Sequence, residues 1–178
     1  FYEAFYEYNM NNPDPLYLIH GVWVDDYLIN SSYSALHEEF YMPFLEDCKD
    51  VVDVIHGRYK MRGVGGIIGE KYGKDISQWV YGYIPGVEWE PALVAYTDRF
   101  IKQSPQYEGE YFRTEGATNF EIMLASIGDA MVSYETEKYG SQRVIGFSNW
   151  VTTDPLDYVD EVKYQFQKSA AVDVEHIS

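Results

Sequence analysis

The chain has 178 residues, enough for one domain with a proper core and not comfortably for two. Its 13 basic and 29 acidic residues leave a formal charge of −16, a field that repels phosphate backbones and anionic lipid, so nucleic acid and membrane surfaces are poor partners. No apolar run reaches the roughly 18 residues that a bilayer span needs, and the lone Cys48 can form neither an internal disulfide nor a thiolate metal site.

Phe1 opens directly onto mixed polar and aromatic sequence without a leader or an initiator Met, so the chain is expected to be a processed or trimmed part of something longer. Aromatic residues make up 17%, with 18 Tyr and 4 Trp. Such side chains fill cores and also present flat amphipathic faces to ligands; position decides between the two uses.

Residues 2–9 read as the tail of a helix. After the breaker Asn11-Asn12-Pro13-Asp14-Pro15, residues 16–24 (LYLIHGVWV) form a first strand-like run. Residues 34–56 then place Leu36, Phe40, Phe44, Val51 or Val52 and Ile55 at helical spacing, with Gly57 as a C-cap. Residues 58–74 are Gly-rich and basic, and read as an excursion loop. Their segment Gly63-Val64-Gly65-Gly66-Ile67-Ile68-Gly69 lacks the Gly-Lys-Ser/Thr of a phosphate loop.

A second strand-like run spans 80–87 (VYGYIPGV), with Pro85 late enough to be tolerated. Pro91 suits the first turn of a helix, which makes Glu90 a dipole-favoured carboxylate. Residues 103–117 form another polar excursion. Thr118 and Glu121 then compose a capping box, followed by an apolar stripe of Phe120, Met123, Leu124, Ile127, Met131 and Tyr134 and by the terminator Gly140. The third strand-like run is 144–150 (VIGFSNW), and no further strand is evident in 151–178.

Near-continuous apolar runs alternating with helical patterns imply βαβ units and a parallel sheet covered on both faces. Three strands cannot close an eight-stranded barrel, which takes roughly 250 residues. The expected fold is therefore α/β: a parallel (β/α)-barrel of TIM type, present as an incomplete segment in a single domain spanning 1–178. A small open α/β sheet is the alternative.

Each predicted strand ends in tryptophan beside polar side chains: Trp23 with Asp25 and Asp26, Trp89 with Glu88 and Glu90, Trp150 with Asn149. Sites in parallel α/β folds form at the carboxyl ends of strands. Indole faces pack against pyranose C–H groups, and carboxylates and amides take up sugar hydroxyls. Trp23, Asp25, Trp89, Asn149 and Trp150 are thus candidate carbohydrate ligands. Glu88, following an apolar strand and flanking an aromatic, is the candidate general acid/base, whose raised pKa a desolvating neighbour helps to supply. The four histidines, His20, His37, His56 and His176, show no ligand spacing, so neither a metal nor a cofactor is expected.

The strand end Gly86-Val87-Glu88-Trp89-Glu90-Pro91, with Phe147-Ser148-Asn149-Trp150 and Thr152-Thr153-Asp154-Pro155-Leu156, resembles the TIM-barrel glycoside hydrolases of family 2 within clan A. The Ile19–Asp25 and Val172–Ile177 stretches are similar to the same pattern. The resemblance implies the acid/base role for Glu88 at the end of the fourth barrel strand. It implies a nucleophilic Glu on a seventh strand, beyond Ser178, with the rest of the barrel. It also implies action on a polysaccharide or glycoconjugate, outside the cell or at its surface. Val87 stands where the clan carries an Asn that binds the 2-hydroxyl. That departure favours a rival reading, a non-catalytic carbohydrate-binding or cell-surface module on the same barrel.

Overall fold

A computed structural model of the chain describes residues 1–31, 34–61, 69–102 and 104–178. The glycine-rich loop expected at 63–69 lies, up to residue 68, outside the described residues. In chain order the elements are α1 (Tyr2–Asn11), β1 (Leu18–Val22), α2 (Asp26–Ser31), α3 (Glu38–Ile55), β2 (Tyr59–Lys60) and β3 (Lys71–Tyr72). Then come β4 (Val80–Pro85), α4 (Pro91–Phe100), α5 (Asn119–Tyr139), β5 (Val144–Ile145) and α6 (Asp160–Gln165). The fold is mixed α/β, built on a three-stranded sheet of order β1-β4-β5 in which both pairings are parallel.

The register sorts the sheet into rows. Ile19 pairs with Gly82 and Gly82 with Val144; His20 pairs with Tyr83 and Tyr83 with Ile145; Gly21 pairs with Ile84. Gly146 continues the last of these rows, its N–H donating to the Tyr83 carbonyl at 2.8 Å. Side chains alternate between faces along a strand, so the middle row points opposite to the other two. The middle row meets the helices: Tyr83 donates to Glu135 of α5 at 2.9 Å, and His20 Nε2 lies 2.7 Å from the Tyr2 hydroxyl of α1. The opposite face is open, with Ile19 55% and Val144 67% exposed. On it, large and small residues alternate by strand: Ile–Gly–Val in one row and Gly–Ile–Gly in the next.

The core lies between the sheet's middle row and the α3–α5 pair. Phe40, Phe44 and Ile55 of α3 interlock with Phe120, Met123, Leu124, Ile127 and Met131 of α5, all fully buried. The capping box forms as expected: Thr118 Oγ1 accepts from the Glu121 amide at 3.3 Å, and Glu121 Oε2 accepts from the Thr118 amide at 2.8 Å. Gly140 ends α5 in the left-handed conformation at φ 65°. Glu121 is used twice over, because its carboxylate also accepts from the Asp173 amide and from His176 Nδ1, each at 2.7 Å, and so ties the chain's last residues onto α5.

Several expectations need correction. The strands are shorter than the runs 16–24, 80–87 and 144–150, most of all the third, which leaves the ladder after Gly146. Its last residues turn back instead, with the Trp150 carbonyl accepting from the amides of Thr153 and Asp154. The excursion at 58–74 contains an antiparallel ribbon, Tyr59 against Tyr72 and Lys60 against Lys71. The excursion at 103–117 is pinned by Asp129 of α5, whose carboxylate accepts from the amides of Tyr111 (2.7 Å) and Phe112 (2.8 Å). Among the described residues no helix is long and apolar enough to cross a membrane.

Candidate functional site at the strand ends

The site grows out of the turn that follows β4. Gly86 donates to the Val22 carbonyl at 2.8 Å, which fastens the ends of β4 and β1 together. It adopts φ +76°, and a Cβ at this position would overlap the Trp89 ring, so the turn demands glycine twice over. The same turn throws Trp89 inward: it is 2% exposed and meets Phe44 and Phe120 edge to face. Glu88 is left outside at φ +57°, a left-handed conformation that costs a side-chain-bearing residue roughly 1–3 kcal/mol. Glu90 is the N-cap of α4, its carbonyl accepting from the Val94 amide, and Pro91 fills the first turn.

The facing wall comes from two later turns. Residues 150–154 form one, and the residues after α6 form the other. Asp154 joins them, accepting from Lys168 Nζ at 2.8 Å and from the Tyr158 hydroxyl at 2.9 Å. Burial alone would raise the Asp154 pKa, but the Lys168 hydrogen bond and its companions hold the carboxyl below the ordinary carboxylate range. Arg99 of α4 donates to the Ser169 carbonyl and closes the ring of contacts. Within this wall Gln167 takes φ +53°.

Between the walls lies a cavity of about 400 Å³, bordered by Glu88, Glu90, Trp150, Thr152 and Gln167, with Trp89 reaching it from the core side. That volume is within the range of small-ligand sites. Trp150 is 47% exposed, so its ring is available to a ligand. Two kinds of irregularity gather here. Among the described residues, Glu88 and Gln167 are the non-glycine residues with positive φ, and both border this cavity. The buried side-chain polar atoms lacking a hydrogen-bond partner among the described residues are His20 Nδ1, Trp89 Nε1 and Thr152 Oγ1, and the last two belong to residues of the same cavity. Orphaned polar atoms and strained backbone are costly, and they cluster where a ligand completes the bonding.

The structure brings Glu88 and Trp150 together as the sequence suggested, and it separates the other candidates. Trp89 is a core residue, turned away from the exposed position expected for a sugar platform. It therefore offers Glu88 no exposed aromatic face. Trp23 is 61% exposed just past the carboxyl end of β1 and is not part of the cavity lining. Asp25 begins α2: its carbonyl accepts from Leu28 and Ile29, and Oδ1 accepts from the Tyr27 amide at 2.6 Å. Asn149 is half-buried and donates to the Val172 carbonyl at 2.7 Å, which draws the chain off the sheet. Asp26 and Glu90 meet at a neighbouring cavity of about 490 Å³, which also takes in Tyr96.

Thr152, Gln167 and Ser169 escaped the sequence reading as site residues. Thr152 sits in a motif that invited attention, but its orphaned hydroxyl depends on packing that sequence does not reveal. Gln167 occupies a left-handed position that glycine or asparagine would have advertised. Among the described residues no group of three or more His, Cys, Asp or Glu is placed to hold a metal ion. Comparison with known proteins yields no matching family model, no matching curated protein and no matching solved structure.

Proposed function

We propose that the chain is a segment of a (β/α)-barrel of glycoside hydrolase type, with Glu88 as general acid/base toward a polysaccharide or glycoconjugate outside the cell or at its surface. The observation that carries this reading is the strand-end cavity, bordered at the carboxyl end of a parallel sheet by Glu88, an exposed Trp150 and Thr152, whose buried hydroxyl lacks a partner. An acid that protonates the leaving glycosidic oxygen has to stand free at such an edge, and the left-handed turn holds Glu88 there.

Support for a barrel comes from the open face of the sheet. A parallel sheet is ordinarily covered on both sides, and a barrel interior is filled in layers to which alternate strands contribute. The alternation of Ile19, Gly82 and Val144 with Gly21, Ile84 and Gly146 has that pattern. In this reading the remaining strands, and the nucleophilic carboxylate with them, belong to sequence beyond this chain.

A second reading, a non-catalytic carbohydrate-binding module on the same scaffold, is favoured by Val87 and by the burial of Trp89. Turnover separates the two. A longer protein that includes the remaining barrel should hydrolyse aryl glycosides, and Glu88→Gln should lower kcat at least a hundredfold while leaving the melting temperature unchanged, because general acid catalysis contributes about 10²–10⁴-fold. Binding without turnover in that longer protein would establish the second reading and remove the first.

A further inference from the structure

The amino-terminal end of the sheet carries a different opening. α3 ends at Ile55, and Gly57 at φ +63° turns the chain so close to residues 73–75 that a Cβ there would stand 2.8 Å from the Asp75 amide nitrogen. The cleft beside this turn is about 530 Å³ and is walled by His56, Arg58, Lys60, Lys71 and Asp75.

Its charge runs against the rest of the molecule. With 29 acidic residues and 13 basic ones, cations in this chain have carboxylates to spare. Lys49, Lys74, Lys138, Arg143, Lys163 and Lys168 each take one, while Arg99, Lys102 and Arg113 take none among the described residues. Arg58, Lys60 and Lys71 form no ion pair among the described residues, and all three are exposed. Lys60 and Lys71 stand directly opposite each other on the β2–β3 ladder, where like charges destabilise a pair. At the base, His56 is 7% exposed, donates from Nε2 to Glu135 at 2.7 Å and stacks on Tyr139 with ring centroids 3.8 Å apart, so its ring is fixed. Asp75, the carboxylate on the wall, is engaged by the Ser77 amide at 2.9 Å.

We propose that this cleft binds a compact oxyanion: a phosphate or sulfate group, free or as an ester on a small molecule. Arg58 supplies a planar fork that matches such a group, and Lys60 and Lys71 supply point charges whose mutual repulsion the anion relieves. The ligand is compact because charges are screened over about 8–10 Å at ordinary salt. Among the lining residues Arg58, Lys60 and Lys71 outnumber the carboxylate of Asp75, whereas a long polyanion would extend onto a surface whose chain carries −16.

Calorimetry and thermal melting of the whole chain in low-salt buffer test the site, with inorganic phosphate, inorganic sulfate and glucose 6-phosphate as probes and glucose as the uncharged control. Saturable one-to-one binding that weakens at least tenfold in the Lys60→Gln/Lys71→Gln double variant is the expected result, with glucose inert. Lys102→Gln, the same kind of charge change at an exposed position elsewhere, should retain wild-type affinity. Without anion the double variant should melt no lower than wild type, because the opposed charges are gone. Tighter binding of glucose 6-phosphate than of phosphate identifies an ester as the source, and the reverse identifies the free ion. Absence of saturable binding by wild type, or equal binding by the double variant, or an equal loss in Lys102→Gln, overturns the proposal.

Discussion

The two ends of the parallel sheet are built to opposite rules. At the amino-terminal end, Glu135 is 1% exposed, yet His56, Tyr83 and Arg143 all donate to it, and Arg143 also reaches the carbonyls of Val80 (2.9 Å) and Ser77 (2.7 Å). At the carboxyl-terminal end, Thr152 and Trp89 leave buried polar atoms unpaired, and Glu88 and Gln167 hold strained backbone. One end satisfies every charge it buries; the other leaves bonding capacity open beside a cavity. In parallel α/β folds the carboxyl end is where ligands are handled and the opposite end is where stability resides. The contrast gathers the unpaired buried polar atoms of Trp89 and Thr152 and the positive-φ residues Glu88 and Gln167 at one end of the same three strands.

Removing the satisfied end should have the largest effect. Glu135→Ala strands Arg143, a side chain only 10% exposed, without its carboxylate. Loss of one partner of a buried pair costs about 3–5 kcal/mol. At about 2–4 °C per kcal/mol for a chain of this size, the melting temperature should fall by about 6–20 °C. A drop of only a degree or two would mean that the network is not what secures that end.

Gly86→Ala comes next. It adds a Cβ into the Trp89 ring at a position with φ +76°. Overpacking and the left-handed penalty together suggest a loss of about 2–4 kcal/mol in urea unfolding. Near-neutral behaviour would show that Trp89 can leave the core, and would return it to the list of ligand-facing residues.

Titration sharpens the comparison on a smaller scale, through two histidines outside both ends. The hydrogen bond to Glu121 raises the His176 pKa above its ordinary value near 6.5. His176 therefore contributes stability below that value and loses it as pH rises through the folded-state pKa. Burial lowers the pKa of His20 below its ordinary value. Its contribution is present above 6.5 and lost as pH falls through its own folded-state value. Stability measured across the neutral range should thus rise with pH more steeply in His176→Ala than in wild type. An unchanged slope would mean that the Glu121–His176 contact does not form in solution.

Much of the frame was legible in sequence because local chemistry agreed with tertiary structure. Thr118, Glu121 and Gly140 bound α5, Pro91 starts α4 behind Glu90, and the apolar runs become parallel strands in the expected chain order. The site was legible only in part. Proximity of Trp to strand ends does not say which way an indole turns, and the Gly86 turn sends Trp89 into the core while Trp150 stays out. Asn149 looked free beside Trp150, but its partner, the Val172 carbonyl, is 23 residues along the chain. The β2–β3 ribbon has two-residue strands, too short for an alternating pattern to announce.

If the strand-end cavity trades stability for ligand binding, Thr152→Val should show both sides of the exchange. The substitution keeps the side chain's shape and removes a buried hydroxyl oxygen that has no partner among the described residues. Thermal unfolding and calorimetric titration should be run on wild type and variant, with cello-, manno-, xylo-, galacto- and chito-oligosaccharides as probes. The variant should be about 1 kcal/mol more stable, since an unsatisfied buried polar group is removed, and should bind at least fivefold more weakly whichever oligosaccharide the wild type binds best. A variant that is less stable than wild type, with unchanged oligosaccharide affinity, would contradict that exchange.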